Sequence, residues 1–189
     1  MKLGPRAQLE EQLDNLELNI EAYRQGRRSG WLGVANRLSI LLCHQKKRGA
    51  LVTELIPDFM LHPLLQDMTP QREKYLLWTP RVKFDQEGFE LELFDFEQRR
   101  IHLSKWLKQT VAVLAVDESP VYITLEQLIR EARNQAGGAH VDPSPDEVVQ
   151  ATSGYVFREK GGLYPFHIKC LMAIGEYLLV EIRKQLPSS

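Results

Sequence analysis

The stretch Thr124-Leu-Glu-Gln-Leu-Ile-Arg-Glu-Ala-Arg-Asn-Gln-Ala-Gly-Gly-Ala-His-Val-Asp142 is the most sharply specified unit of the chain. Thr124 has the character of an N-cap, with a hydroxyl that can accept from the amide of Gln127. Gln127 can reach back to the amide of Thr124, so the pair forms a capping box. Leu125, Leu128, Ile129 and Ala132 follow at spacings of three and four, which predicts one apolar helix face. Gly137 and Gly138 are expected to stop the helix, because glycine enters the left-handed cap without steric cost. Beyond them stand His140 and Asp142. Two residues apart in an extended segment, they point the same way.

This pair is the leading site candidate, and three uses of it follow from its chemistry. Asp142 could orient the His140 imidazole as a general base, which makes both residues catalytic candidates. Both could ligate a divalent metal, although no motif in the chain requires one. The favoured use is structural, with the pair fixing its loop through backbone hydrogen bonds or lining a ligand pocket. Replacing a structural His140 by alanine is expected to cost about 1–3 kcal/mol, because buried partners lose their hydrogen bonds. No Gly-rich phosphate loop follows a strand, and no serine sits in a nucleophile elbow.

Working outward, Thr110 to Val116 reads as a buried strand turned at Asp117-Glu118-Ser119-Pro120, with a short strand at Val121-Tyr122-Ile123. Ser104-Lys-Trp-Leu-Lys reads as one capped helical turn. Val82 and Phe84, then Phe89, Leu91 and Leu93, alternate with charged residues around Asp85-Gln86-Glu87-Gly88 and predict a β-hairpin. Between Pro57 and Pro80 the prolines Pro63 and Pro70 fall irregularly, which predicts a loop-rich connector, with Thr69-Pro70 suited to capping a helical turn.

The N-terminal third is helical in pattern. Leu9, Leu13, Leu16, Ile20 and Tyr23 make an apolar stripe that should end at Gln25-Gly26. Trp31, Val34, Ala35, Leu38, Leu41 and Leu42 make a broader one after Gly30. The short link predicts an antiparallel helical hairpin over residues 1–56. Lys46-Lys47-Arg48 suits the C-terminal end of the second helix, with Gly49 closing it. Ala50 to Ile56 is expected to form a short third helix.

Past Asp142, Ser144-Pro145-Asp146-Glu147 reads as another capping box. Tyr155-Val156-Phe157 suggests a short strand before a Lys160-Gly161-Gly162 turn. Pro165 to Gln185 predicts a long helix whose Phe166, Cys170, Ala173, Ile174, Tyr177, Leu178 and Ile182 face a core. The expected fold is α+β, mainly α-helical, with a small antiparallel sheet in the middle. It forms one domain over residues 1–189, with the sheet region at 75–123 and a helical region at 124–189.

The chain has 189 residues, 43% of them hydrophobic, and a formal net charge of −1. That is enough apolar material for a sizeable core, and the charge implies no global pull toward nucleic acid or anionic membrane. The local distribution is uneven. Seven basic and no acidic residues fall from Arg24 to Arg48, and six acidic and no basic residues from Asp85 to Glu97. These runs read first as solvated faces; alternatively they meet, within one subunit or across a homo-oligomer. Nucleic acid is not indicated by the net charge, but the basic run from Arg24 to Arg48 does not exclude it. Cys43 and Cys170 lie far apart inside apolar helical pattern and read as reduced core residues of a cytoplasmic protein. There is no apolar leader at the start and no run long enough to span a membrane.

Arg37 and His44 share a helix face two turns apart, the spacing found in HEPN ribonucleases. Leu38 stands where a polar residue normally follows the arginine, so a solvated basic face is the preferred reading. His167, His62 and His102 have no partner in the pattern.

Two stretches, Tyr23 to Leu55 and Trp106 to Asp142, resemble a family of small bacterial proteins without an established activity. The family carries an Asn-x-x-Gly-Gly-Ala-His-Val-Asp signature, matched at Asn134 and at Gly137 to Asp142. Its earlier motif tends to read Leu-Arg-Val-Leu-Leu-His-Asp, where this chain has Ser39, Cys43 and His44 in place of the arginine, histidine and aspartate. The resemblance thus implies that Asn134, Gly137, Gly138, His140 and Asp142 belong to a ligand or loop-structural element, with the earlier motif altered. A binding or interaction module is the leading expectation for function. A metal-dependent or general-base hydrolase acting on nucleotide or RNA is the alternative.

Overall fold

Helix α1 spans Pro5–Arg24, with Gly4 as its N-cap and Pro5 in its first turn. Proline suits that position because its fixed φ is helical and its missing N–H would be unpaired there. Leu9, Leu13, Leu16 and Ile20 are buried along one face, the predicted stripe. The turn that follows needs Gly26, whose φ is 91°. Helix α2 (Gly30–Leu42) then returns against α1, and its Trp31, Val34, Ala35, Leu38, Leu41 and Leu42 are buried. The expected helical hairpin is present. α2 stops earlier than its charge pattern suggested, because Cys43 caps it in an extended conformation at φ −90° and ψ 143°.

The computed structural model describes residues 2–27, 29–43, 49–72, 75–84, 88–94, 99–116, 119–138 and 165–188. Lys46-Lys47-Arg48, the capping box at Ser144, the strand at Tyr155 and the turn at Lys160 lie outside them.

After α3 (Leu51–Leu55) the chain builds short strands. These are β1 (Met60–Leu61), β2 (Gln66–Arg72), β3 (Tyr75–Pro80), β4 (Val82–Phe84), β5 (Phe89–Leu91) and β6 (Ile101–His102). Helix α4 (Leu103–Leu107) follows, then β7 (Thr110–Val116) and β8 (Ser119–Thr124). Every pairing is antiparallel: β1 with β6, β2 with β3, β4 with β5, and β7 with β8. The hairpins expected at Val82–Leu93 and Thr110–Ile123 are therefore present.

The connector between Pro57 and Pro80 departs from expectation. It contains the β2–β3 hairpin, and Thr69 and Pro70 lie in β2 rather than at a helical turn. The prolines are tolerated because a two-stranded sheet has only edge strands, where a missing N–H can face away from the partner. Ser104 also departs from its expected role. His102 is the N-cap of α4, and Ser104 sits inside the helix.

Helix α5 (Leu125–Gly138) and helix α6 (Pro165–Gln185) complete the molecule. The fold is α+β and mainly helical, as expected. In α6, Cys170, Ala173, Ile174, Leu178 and Ile182 are buried as expected, and Tyr177 is half-buried. One continuous core joins these residues to α1, α2 and α5 and to Phe59, Leu61, Leu64 and Trp106. Buried polar atoms tie the strands to α6. The Trp106 indole donates to the His62 carbonyl at 3.0 Å, and the His62 amide donates to the Tyr177 hydroxyl at 3.0 Å. Among the described residues no helix is long and apolar enough to cross a membrane.

Candidate functional site

The start of α5 forms as its sequence dictates. The Gln127 amide donates to Thr124 Oγ1 at 3.2 Å, and the Thr124 amide donates to Gln127 Oε1 at 2.8 Å. Leu125, Leu128, Ile129 and Ala132 are all fully buried. The helix reaches Gly138, so Gly137 and Gly138 both lie in its last turn. His140 and Asp142 lie outside the described residues, as does His44.

Beside the apolar face of α5 runs a polar stripe, and its members are brought against α2. Arg133 uses two nitrogens here: Nη1 donates to Ser39 Oγ at 3.3 Å, and Nη2 donates to Asn134 Oδ1 at 3.2 Å. Ser39 is only 1% exposed, so this contact satisfies a hydroxyl within the helix interface. One turn earlier, Arg130 donates to Glu126 Oε1 through Nε at 3.2 Å and Nη2 at 2.8 Å. That bond raises the Arg130 pKa and keeps the guanidinium charged.

Cys43 closes the α2 side of this seam. Burial pushes its thiol up from the ordinary value, while the nearby Arg130 and Arg133 charges and a hydrogen bond with Ser39 work against that push. The thiol is therefore protonated at neutral pH and is a weak nucleophile. Helices α2 and α5 thus pack on each other, with Ser39 and Arg133 in direct contact.

Arg37 is not part of this seam. It sits two residues from Ser39, on the side of α2 that faces α1, and its Nη1 donates to Gln12 Oε1 at 2.9 Å. Its Nε is buried without a hydrogen-bond partner. Arg37 is a packing residue between two helices rather than the solvated cation expected.

Among the described residues, the start of the basic run reaches the β4–β5 hairpin through α6. Arg24, which opens the basic run, pairs with Glu176 of α6. The other Glu176 oxygen accepts from the Phe89 amide at 3.3 Å, beside the β4–β5 turn of the acidic run. Within that hairpin, Glu92 pairs with Arg81 at 3.5 Å and with Lys83 at 3.2 Å. These two cations hold its carboxyl below the usual range, with the Lys83 hydrogen bond the main cause.

At the N-terminal end of α5 the seam meets a cavity of about 460 Å³ between α3, α4 and α5. Leu42, Ala50, Pro57, Leu103 and Leu107 supply its apolar lining; Thr53, His102, Ser104, Lys108 and Glu126 supply the polar groups. Glu126 belongs to both the seam and the cavity. His102 Nε2 lies 3.2 Å from the Pro57 carbonyl, and its Nδ1 lies 3.4 Å from Ser104 Oγ. A carbonyl only accepts, so in the neutral ring the proton sits on Nε2 and Nδ1 accepts from the serine. A second hollow, of about 420 Å³, lies between the β4–β5 hairpin and α6, with Arg81, Lys83, Glu92 and Lys169 in its lining.

Among the described residues, no three His, Cys, Asp or Glu side chains gather as a metal site. Sequence reading missed Glu126, Arg130 and Arg133, although their i, i+4, i+7 spacing marks a polar stripe beside the apolar one. His102 and Lys108 left no local signal of a cavity. No family model, curated protein or solved structure matches the chain.

Proposed function

We propose that this protein is a small-molecule binding module whose ligand sits in the cavity between α3, α4 and α5. The cavity carries the reading. Its volume of about 460 Å³ and its mixture of apolar lining with a few polar groups suit a small organic ligand. The adjoining seam supports it, because Arg130 and the capping box hold the first turn of α5, and with it Glu126, in place before any ligand arrives. The reading includes a cytoplasmic location, supported by two free, buried cysteines. It also includes a bacterial origin, by resemblance, and self-association, which sedimentation at varied concentration tests directly.

A fragment screen by protein NMR tests the binding. Shifts should cluster at Leu42, Leu103 and Leu107. Thr53→Phe, which fills the cavity, should abolish them while leaving the circular dichroism spectrum unchanged. Fragments that bind Thr53→Phe as well as the parent, or no binding at all, would reject the reading.

A general-base hydrolase is the second reading, and the contact between Ser104 and His102 favours it. Hydrolysis of a simple aryl ester or phosphodiester that is lost in His102→Ala would place this reading first.

A further inference from the structure

We infer that the ligand of this cavity is a zwitterion with an apolar body, of the class of an α-amino acid with a branched or aromatic side chain. The inference rests on the binding reading above and adds the chemistry of what is bound.

Most polar groups lining the cavity are already committed within the chain. Thr53 Oγ1 donates to the Ala50 carbonyl at 2.8 Å. His102 Nε2 is taken by the Pro57 carbonyl, and the Ser104 hydroxyl is taken by His102 Nδ1. The Lys108 ammonium is the side-chain donor left over, and it makes no ion pair with any described residue. It lies one turn along from Ser104, so both reach the cavity from the same face of the chain.

The opposing group comes from α5. Glu126 receives both Arg130 hydrogen bonds on Oε1, which leaves Oε2 without a hydrogen-bond partner among the described residues. The cavity therefore offers one open cation, one open carboxylate oxygen, and an apolar lining from Leu42, Ala50, Leu103 and Leu107.

A ligand that is only anionic would satisfy Lys108 and leave an oxygen of Glu126 facing a like charge. A ligand that is only cationic would do the reverse. A carboxylate on Lys108 together with an ammonium on Glu126 satisfies both, with charge-assisted hydrogen bonds at each end. The hydrocarbon side chain then takes the apolar lining.

Calorimetric titration of the full chain with L-leucine and L-phenylalanine tests this, with isocaproate and isoamylamine as the partners lacking one charge each. Leucine should bind at least about tenfold tighter than either, the difference one charged hydrogen bond makes. Lys108→Met should erase the advantage over isoamylamine, and Glu126→Gln the advantage over isocaproate. Both variants should keep the parent circular dichroism spectrum, since one residue is exposed and the other substitution keeps its shape. Isocaproate or isoamylamine binding as tightly as leucine would overturn the inference and leave the binding module standing. Silence from all four compounds would overturn it too, and the fragment screen then decides separately whether the cavity binds anything.

Discussion

Helix α2 packs in opposite ways on its two sides, by close backbone approach toward α1 and through polar side chains toward α5. Toward α1 the contact is so close that a Cβ on Gly30 would sit 2.7 Å from the Asn19 carbonyl oxygen and 2.9 Å from the Tyr23 nitrogen. At Gly33 it would run into the Asn19 side chain. Glycine is required at Gly30 because two backbones approach each other there, whereas at Gly33 the obstacle is the end of the Asn19 side chain. Toward α5 the contact is looser in chemistry, since a buried hydroxyl, a thiol and two arginines share the interface with leucines. Close backbone packing tolerates little change, whereas the polar seam is built from side chains and shares Glu126 with the neighbouring cavity.

Filling the tight face should give the largest effect. Gly30→Ala drives a methyl group into backbone, which cannot rotate away, so α1 and α2 must separate. A loss of about 3 kcal/mol is expected from urea denaturation. A loss below about 1 kcal/mol would show that α1 retreats easily and would weaken the contrast.

Alkaline pH sharpens it next. Burial raises the thiols of Cys43 and Cys170 above their ordinary value of 9.0 and raises the Tyr177 hydroxyl from 10.0 to about 12. A raised folded-state value means that the unfolded chain releases its protons first. Stability from these groups is therefore complete below the unfolded values and declines as pH rises beyond them. Unfolding midpoints should hold steady up to pH about 9 and then fall. Cys170→Ala should flatten the fall more than Cys43→Ala, because apolar residues enclose Cys170 while Arg130 and Arg133 stand beside Cys43. Equal flattening would mean that the arginines do not influence the seam thiol.

The polar seam should yield a smaller change. Ser39→Ala removes the acceptor of one half-buried Arg133 bond and should cost about 1 kcal/mol in thermal or urea unfolding. A cost near that of Gly30→Ala would make the seam a structural element and erase the difference between the two faces.

Arg37→Met should change least. The substitution loses the bond to Gln12 but also removes a buried Nε that has no partner. The two effects offset, and stability should stay within about 0.5 kcal/mol of the parent. A large loss would show that Arg37 organises the α1 contact.

Particular residues show why some of this was readable in the sequence and some was not. The capping box joins Thr124 to Gln127, three residues apart, so its hydrogen bonds follow from local geometry alone. The burial of Leu9, Leu13, Leu16 and Ile20 follows in the same way from a helical repeat. The β2–β3 hairpin was hidden by Pro70 and Pro80, which read as loop signals unless one knows that the strands are edges. The end of α2 was misplaced because the Lys46-Lys47-Arg48 pattern suits a helix C-terminus, while the backbone is already extended at Cys43.

The sequence by itself determined the helices and their buried faces, the hairpins at Val82 and Thr110, and the capped start of α5. Each is set by contacts within a few residues, where spacing and side-chain type are sufficient. Only the tertiary structure decided that Arg133 meets Ser39, that Arg37 turns inward to Gln12, and that Thr53, His102, Lys108 and Glu126 line one cavity. Those meetings join residues tens of positions apart. They depend on the angle and distance at which helices pack, which no local pattern encodes.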